Sequence, residues 1–256
     1  MTAATELDGT VALVTGASSG IGEASARMLA REGAAVAVVA RRGERLQALA
    51  GEIESDGGRV LVLEADVTER EQAEGAVGRT VAELGRLDVL INNAGVMLLG
   101  PIVDAPIEEW ERMVDVNVLG LLYTARAAIP HLLDAAAVGP REVADLVNIS
   151  SVAGRRATAG NGVYNATKHA VGGFSESLRQ EVTGRHVRVS LIEPGAVATE
   201  LSGHNRPEVL EQIKERFAGV TRLEATDIAD AIRYVITRPR HIAINELLVR
   251  PTEQLQ

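Results

Sequence analysis

Cysteine is absent from this 256-residue sequence, and only two lysines, Lys168 and Lys214, occur in it. Without cysteine the chain can form no disulfide, no thiolate metal site and no cysteine nucleophile. Aromatic residues are also scarce, at 2% of the composition. Because nearly all of the positive charge is arginine, the position of each lysine is more informative than usual.

Acidic residues outnumber basic ones, and the formal net charge is −9 at pH 7. Such a chain repels a phosphate backbone at long range, so we expect no nucleic-acid partner. Residues 1–8 lack a basic region followed by an apolar stretch, and charged residues or glycines interrupt every long apolar run. We therefore predict a cytoplasmic protein with no membrane segment and no metal site, which acts on a small molecule.

The pattern of apolar residues indicates the fold. Short valine-rich runs alternate with longer segments of helical period, which is typical of βαβ units in a parallel sheet. This pattern predicts an α/β, Rossmann-type fold: a doubly wound seven-stranded parallel sheet with helices on both faces, in a single domain over residues 1–256. The predicted strands are 11–15, 35–40, 60–65, 88–91, 144–150, 187–192 and 246–249. The predicted helices are 21–31, 43–56, 70–84, 119–136 and 163–184.

One stretch, from about residue 197 to 222, does not fit the alternation. It is polar, contains Pro207 and has no clear strand. It follows a predicted strand, and ligands of doubly wound folds bind at the carboxyl ends of the strands. We therefore expect this stretch to form a lid over the substrate.

A glycine-rich loop follows the first predicted strand and opens the first helix. The free N–H groups and the dipole at a helix N-terminus attract a pyrophosphate, so the loop predicts dinucleotide binding. The spacing is Gly-x-x-x-Gly-x-Gly rather than the commoner Gly-x-Gly-x-x-Gly, and an ordinary βα turn is the alternative. The loop residues predicted to bind the cofactor are Gly16, Ser18, Ser19, Gly20, Ile21 and Gly22.

The end of the second predicted strand bears on the choice of cofactor. A free ribose 2′-hydroxyl usually meets an acidic residue about 20 residues beyond the glycine loop, but no acid lies between Gly33 and Gly43. Arg41 and Arg42 stand there instead, and a guanidinium suits a 2′-phosphate. We therefore predict NADP(H) in preference to NAD(H), with Arg41 as the first contact. The alternative is a solvated charged turn.

Asp66 and Val67 follow the third predicted strand and are also predicted to contact the cofactor. The Asp66 carboxylate could hold the adenine edge. It could equally cap the turn near Thr68, and the sequence leaves both interpretations open.

A tyrosine and a lysine with helical spacing indicate the chemistry. Tyr164 precedes Lys168 by four residues, which places both side chains on one face of a helix. A carbonyl needs a proton when it is reduced, and a phenol can supply it if its pKa is lowered. An ammonium about 5 Å away, at an effective dielectric of about 20, contributes about 3 kcal/mol, or roughly two pKa units. The alternative is an incidental pair, with the tyrosine as filler and the lysine in solvent.

Ser151 and Asn117 complete a predicted catalytic group of four. Ser151 follows a predicted strand, 13 residues before Tyr164, and its hydroxyl could polarise the substrate oxygen; otherwise it is an ordinary turn residue. Asn117 lies in an apolar helical segment, where a buried amide needs partners. It could anchor a water relay to Lys168, or it could be a satisfied core asparagine.

Together these motifs resemble the short-chain dehydrogenase/reductase family, from about Gly9 to the C-terminus. The resemblance implies that Tyr164 is the acid/base, that Lys168 lowers its pKa and binds the nicotinamide ribose, and that hydride is transferred on the B face. Ser151 would hold the substrate oxygen and Asn117 would support the proton relay. The residues that carry the resemblance are the glycine loop, Asn92 to Gly95, Asn117, Ser151, Tyr164, Lys168, Pro194 and Gly195.

The resemblance also assigns further site residues and an assembly. Family members usually form dimers or tetramers through the helices predicted at 119–136 and 163–184, and we expect a homotetramer. The remaining cofactor residues would be Asn93, Ala94, Gly95, Pro194, Gly195, Val197 and Thr199. Apart from the resemblance, we predict that Met97, Val152, Asn161 and His204 contact the substrate.

Within the family, the sequence is similar to a bacterial NADP-dependent branch that includes clavulanic acid dehydrogenase and enzymes that oxidise 3-hydroxy acids or serine-like substrates. Two features depart from the family pattern: an apparent insertion at 135–142 and the lid sequence His204 to Pro207. Arg155 and Arg156 could contact an anionic substrate, or they could be solvated surface residues.

The predicted function is that of an NADP(H)-dependent oxidoreductase, which moves a hydride between nicotinamide and the carbonyl or alcohol carbon of a small organic compound. A non-catalytic NADP(H)-binding sensor of the same fold is the alternative, but a sensor should lack Tyr164 or Lys168. An epimerase or dehydratase built on the same pair usually has a larger C-terminal region. The sequence does not identify the substrate.

Overall fold

The strands form one parallel sheet whose order is β3-β2-β1-β4-β5-β6-β7. The computed structural model describes residues 6–103 and 105–255. The central strands are buried on both faces, which explains their unbroken runs of valine, alanine and leucine. The predicted α/β doubly wound seven-stranded sheet is therefore confirmed. The strands are β1 Val11–Thr15, β2 Ala35–Ala40, β3 Val60–Glu64, β4 Val89–Asn92, β5 Ala144–Ile149, β6 Val187–Pro194 and β7 Glu246–Val249.

The described residues form eight α-helices, and the five predicted helices agree with five of these to within two residues at each end. Three helices had not been predicted: one before Asn117, one inside the lid and one before the last strand. The helices are α1 Gly20–Arg31, α2 Gly43–Ser55, α3 Arg70–Leu84, α4 Ile107–Val114, α5 Gly120–Val138, α6 Gly162–Val182, α7 Pro207–Arg216 and α8 Ala225–Ile236.

Two apolar layers cover the two faces of the sheet. One layer packs α1, α2 and α8 against it, with Leu29, Leu46 and Ile232 fully buried. The other packs α3, α5 and α6 against the opposite face. The strand order reverses direction between β1 and β4, so the carboxyl ends of these strands flank a crevice. In doubly wound folds such a switch point is where ligands bind.

The helical run Ile107–Val138 is long and apolar enough, by length and composition alone, to cross a membrane. Its packing shows a different role. Ala125, Ala128 and Leu132 are fully buried, in the same cluster as Leu90 and Leu146 of the sheet. The run therefore serves as a core helix of the domain. The apparent insertion at 135–142 forms the last turn of α5 and the turn that leads into β5.

Candidate active site

The glycine-rich loop between β1 and α1 is shaped by close backbone contacts. Gly16 and Gly20 have φ values of +65° and +57°, which a residue with a side chain adopts only with strain. A Cβ atom on Gly16 would lie 2.8 Å from the Ala94 Cα. The Asn93 amide donates to the carbonyls of Thr15 and Gly16, at 3.0 and 3.2 Å. The loop is thus fixed against the end of β4, with the N-terminus of α1 open above it.

A cavity of about 470 Å³ lies at the carboxyl ends of the strands. Most of the residues predicted to bind cofactor or substrate line it. Gly22, Asp66 and Asn117 do not. The predicted residues that line the cavity are Gly16, Ser18, Ser19, Gly20, Ile21, Arg41, Arg42, Val67, Asn93, Ala94, Gly95, Met97, Ser151, Val152, Asn161, Tyr164, Lys168, Pro194, Gly195, Val197, Thr199 and His204.

The two arginines after β2 have different surroundings. Arg42 donates hydrogen bonds to the Ser18 hydroxyl at 2.9 and 3.0 Å and to the Ser19 hydroxyl at 2.8 Å. The side chain of Arg41 is 64% exposed and lies 3.4 Å from the Asp66 carboxylate. Arg42 is therefore the arginine that is integrated into the glycine loop, although the sequence had favoured Arg41.

Asp66 behaves as a turn cap. One carboxylate oxygen accepts hydrogen bonds from the Thr68 backbone N–H at 3.0 Å and from the Thr68 hydroxyl at 2.8 Å. Burial raises the pKa of Asp66, but hydrogen bonds from Thr68 and the charge of Arg41 outweigh it, so the pKa is lowered overall. Of the two interpretations left open by the sequence, the geometry favours the cap.

Gly22 is a packing residue rather than a wall of the cavity. A Cβ atom there would lie 2.4 Å from the Gly16 carbonyl oxygen and 2.5 Å from the Asn93 Nδ2. Only glycine lets α1 begin this close to the loop.

Tyr164, Ser151 and Lys168 come together at the inner end of the cavity. α6 carries Tyr164 and Lys168 on one face, and the Lys168 Nζ lies 5.8 Å from the centre of the phenol ring. The Lys168 ammonium donates to the Ile149 carbonyl at the end of β5, at 2.9 Å. Ser151, two residues beyond Ile149, hydrogen bonds with Tyr164 and also accepts from the Ala153 backbone N–H at 3.1 Å. The predicted juxtaposition of the three side chains is therefore present.

The electrostatics of this group differ from the sequence-based expectation. Burial raises the pKa of Tyr164 to about 12, although the hydrogen bond with Ser151 acts in the opposite direction. Burial also lowers the pKa of Lys168 to about 8. The expected lowering of the Tyr164 pKa by its neighbour was wrong for this arrangement, because burial of the phenolate costs more free energy than the nearby charge returns.

Asn117 lies in a π-helical turn, Asp115–Leu119, between α4 and α5. Its Oδ1 accepts from the Val96 N–H at 2.7 Å, and its Nδ2 donates to the Val96 carbonyl at 2.8 Å and to the Thr167 hydroxyl at 3.2 Å. The side chain is buried and fully bonded, which is the core arrangement that the sequence left as an alternative. A π-turn often marks a functional site, and the water relay stays a prediction.

The predicted lid segment, residues 197–222, contains a 3₁₀ turn and α7. On the cofactor side, the Glu200 carboxylate pairs with Arg42 at 2.8 Å and with Arg45 at 2.8 and 2.9 Å, which lowers its pKa to about 2. On the opposite side, the Asn205 amide accepts from the Leu99 N–H at 2.6 Å and donates to the Met97 carbonyl at 2.9 Å. Polar contacts therefore hold this segment at both edges of the cavity.

Sequence reasoning missed the contribution of the C-terminal residues. Gln254 Oε1 accepts from the Ala196 N–H at 2.8 Å, and Arg250 and Leu248 line the cavity nearby. It also missed Arg112 of α4 and Phe217 of the lid. No local motif marks these positions, because each reaches the cavity through a contact far along the chain.

A family model described as short chain dehydrogenase matches residues 10–210 of this chain. The chain belongs to the short-chain dehydrogenase family. The predicted resemblance is therefore confirmed, and this short-chain dehydrogenase shares its fold with solved members. It superimposes on the closed form of a serine dehydrogenase complexed with NADP+ with a TM-score of 0.87, at 36% identity, over 96% of this chain and 97% of that one.

Two curated relatives show how this short-chain dehydrogenase compares in sequence. An uncharacterized oxidoreductase of Staphylococcus aureus is 38% identical over 247 residues, which are 96% of this chain and 99% of that protein. The glycine betaine reductase ATRR of Emericella nidulans is 41% identical over 249 residues. These cover 97% of this chain but only 19% of ATRR, so the chain matches a small part of that larger protein.

Proposed function

We propose that this protein is an NADP(H)-dependent oxidoreductase that interconverts a carbonyl compound and the corresponding alcohol. The observation that carries the proposal is the convergence of Tyr164, Ser151 and Lys168 in one cavity with the glycine-rich loop. A buried phenol beside a hydroxyl and an ammonium can move one proton to or from a substrate oxygen. The family and its oxidoreductase members support this assignment.

The residues around the loop fit a phosphorylated dinucleotide. Glycine at positions 16 and 20 places no side chain beside the N-terminus of α1, so a phosphate group can approach its N–H groups closely. Arg42, Ser18 and Ser19 form a cluster of donors at the end of β2, where a 2′-phosphate needs them. The NADP+ complex of the similar serine dehydrogenase supports the same cofactor.

In the proposed mechanism each residue has a separate task. When bound, the nicotinamide supplies the hydride in reduction and accepts it in oxidation. The Ser151 hydroxyl donates to the substrate carbonyl oxygen and holds it beside the Tyr164 hydroxyl. Tyr164 releases its proton to that oxygen as the carbonyl carbon gains the hydride, and the product is the alcohol. Tyr164 regains a proton from solvent before the next turnover.

Lys168 has a positioning and electrostatic task. The Ile149 carbonyl holds its ammonium at 2.9 Å, and the charge favours the phenolate that forms when Tyr164 gives up its proton. A Tyr164 pKa of about 12 keeps the phenol protonated at neutral pH. The site is therefore prepared for reduction, whereas oxidation of an alcohol first requires loss of that proton.

A titration followed by a turnover assay tests the proposal. Purified protein is titrated with NADPH and NADH, and a panel of aldehydes and ketones is then assayed through nicotinamide absorbance. Tighter binding of NADPH, together with turnover, supports the proposed function. Binding without turnover favours the sensor alternative, and no binding of either nucleotide contradicts the proposal. The homotetramer and the cytoplasmic location stay predictions, and light scattering tests the former.

A further inference from the structure

The wall of the cavity is strongly positive, although the chain as a whole carries a net charge of −9. Eight arginines and Lys168 line the cavity, and Glu200 is the single carboxylate among its described lining residues. Glu200 is itself paired with Arg42 and Arg45. A cleft lined by one sign of charge concentrates ligands of the opposite sign.

The cofactor and internal ion pairs account for only part of this charge. Arg41, Arg42 and Lys168 belong to the proposed NADP(H) site. Arg155 pairs with the buried Glu193 at 2.6 Å and also with Glu246. The guanidinium groups of the other five arginines make no hydrogen bond or ion pair with any residue that the structure describes. They are Arg112, Arg156, Arg216, Arg222 and Arg250.

Two of the five lie close in sequence to residues proposed for catalysis. Arg112 lies on α4, five residues before Asn117, and Arg156 lies five residues after Ser151. Both line the cavity together with Met97 and Asn161, which the sequence analysis predicts as substrate residues. A planar guanidinium matches the two oxygens of a carboxylate.

We propose that the substrate is a carboxylate-bearing aldehyde or hydroxy acid, whose carboxylate Arg112 and Arg156 bind. This inference rests on the proposed oxidoreductase function. It gives a role to Arg156, which the sequence singled out, and removes Arg155 from that role because its guanidinium is already paired.

The same wall disfavours a cationic substrate such as a quaternary ammonium aldehyde. Sites for such cations use aromatic faces or free carboxylates. Phe217 and Tyr164 are the aromatic residues among the described lining residues. Arg216 and Arg222 already lie 5.7 and 5.8 Å from the centre of the Phe217 ring. The Lys168 Nζ lies 5.8 Å from the centre of the Tyr164 ring, and the carboxylate of Glu200 is paired with Arg42 and Arg45. Neither kind of partner is therefore available to a cation.

Three aldehydes of similar size but different charge test the inference. Succinic semialdehyde is anionic, 3,3-dimethylbutanal is neutral, and betaine aldehyde is the cationic counterpart of the neutral compound. With saturating NADPH and low salt, we expect kcat/KM for the anion to exceed that for the neutral aldehyde at least tenfold, with the cation poorest. Salt should reduce the advantage of the anion, because screening weakens its attraction to the wall.

Substitutions of Arg112 and Arg156 test whether these residues cause the preference for the anionic aldehyde. Arg112→Gln and Arg156→Gln should each lower kcat/KM for the anion about tenfold, mainly through KM, and leave the neutral aldehyde within about twofold. Arg185→Gln is the matched control, because Arg185 is exposed and lies outside the cavity wall. NADPH titration of every variant checks that it is folded.

The outcomes separate the inference from the proposed function. Turnover of the neutral or cationic aldehyde at or above the rate for the anion overturns the inference and leaves the oxidoreductase function standing. An equal loss for all three aldehydes in both variants also overturns it. If no aldehyde or ketone is turned over while NADPH binds, the proposed function fails, and the inference fails with it.

Discussion

Replacement of Arg42 by glutamine should weaken the binding of NADPH far more than the binding of NADH. Arg42 bonds to Ser18 and Ser19 of the glycine loop, whereas its neighbour Arg45 pairs with Glu200 and does not line the cavity. The variant Arg42→Gln removes a charge at the place where a 2′-phosphate would bind, and Arg45→Gln removes a charge nearby.

The magnitude follows from how exposed Arg42 is. At about 4 Å, one pair of unit charges gains about 4 kcal/mol at an effective dielectric of 20 and about 1 kcal/mol in bulk water. The Arg42 side chain is 43% exposed, so we take a value midway, about 2 kcal/mol. This corresponds to a roughly thirtyfold rise in the Kd of NADPH. NADH lacks the phosphate, and its Kd should change less than about threefold.

Fluorescence titration with both nucleotides, at one fixed salt concentration, measures these changes. Arg45→Gln should leave both Kd values within about twofold. Arg41→Gln, made in parallel, tells which of the two arginines reads the phosphate. Equal weakening of NADPH and NADH in Arg42→Gln would refute the reasoning, because it would place Arg42 in the stability of the loop and not in phosphate recognition.

Three further predictions test the catalytic group and the loop. Tyr164→Phe should keep NADPH binding but lose a factor of about 10² to 10⁴ in kcat, because it removes the proton donor. Nicotinamide absorbance measures the loss, and undiminished turnover would exclude Tyr164 from the mechanism. Burial raises the pKa of Tyr164 to about 12, so the phenolate fraction grows about tenfold per pH unit below that value. Alcohol oxidation should therefore accelerate from pH 7 to about 8 while carbonyl reduction does not, and the rise should flatten above pH 8 as Lys168, whose pKa burial lowers to about 8, loses its charge. Parallel pH profiles for the two directions would contradict this. Gly16→Ala should lower the Tm by roughly 2–4 °C or more, since φ is +65° and the added Cβ would lie 2.8 Å from the Ala94 Cα. Gly51→Ala is the control and should not destabilise the protein, because no atom lies within 4 Å of its added Cβ. Equal Tm values for the two variants would argue against loop strain.

Local patterns accounted for much of the fold and for the centre of the site. The period of apolar residues located every strand to within two residues at each end, because buried parallel strands are continuous and short. The four-residue spacing of Tyr164 and Lys168 was enough to place them on one helix face. Both inferences depend only on neighbours in the sequence.

Two of the missed helices carried a signal that could have revealed them. Pro207 occupies the first turn of α7, a position that proline favours, although the sequence analysis had treated it as part of an irregular lid. Glu224 and Asp227 form a capping box at the start of α8, three residues apart. Proline in the first turn and a capping box can therefore indicate a helix where the apolar period does not.

Other features depend on contacts between distant parts of the chain. Whether Arg41 or Arg42 faces the loop is decided by the backbone at the end of β2, which the sequence does not display. The pairing of Glu200 with Arg42 and Arg45 joins residues more than 150 positions apart. The pKa of Tyr164 was misjudged because burial, which dominates it, is a property of the folded site.

The transfer of deuterium from labelled NADPH to a reduced aldehyde tests the central claim most directly. NADPH labelled at the B face of C4 is incubated with the protein and an aldehyde that it turns over, and the alcohol is analysed by mass spectrometry. We predict one deuterium on the carbinol carbon with wild-type protein, and labelled alcohol formed at least about 10²-fold more slowly with Tyr164→Phe although that variant binds NADPH. An unlabelled alcohol from wild-type protein, or transfer that does not need Tyr164, would contradict the account.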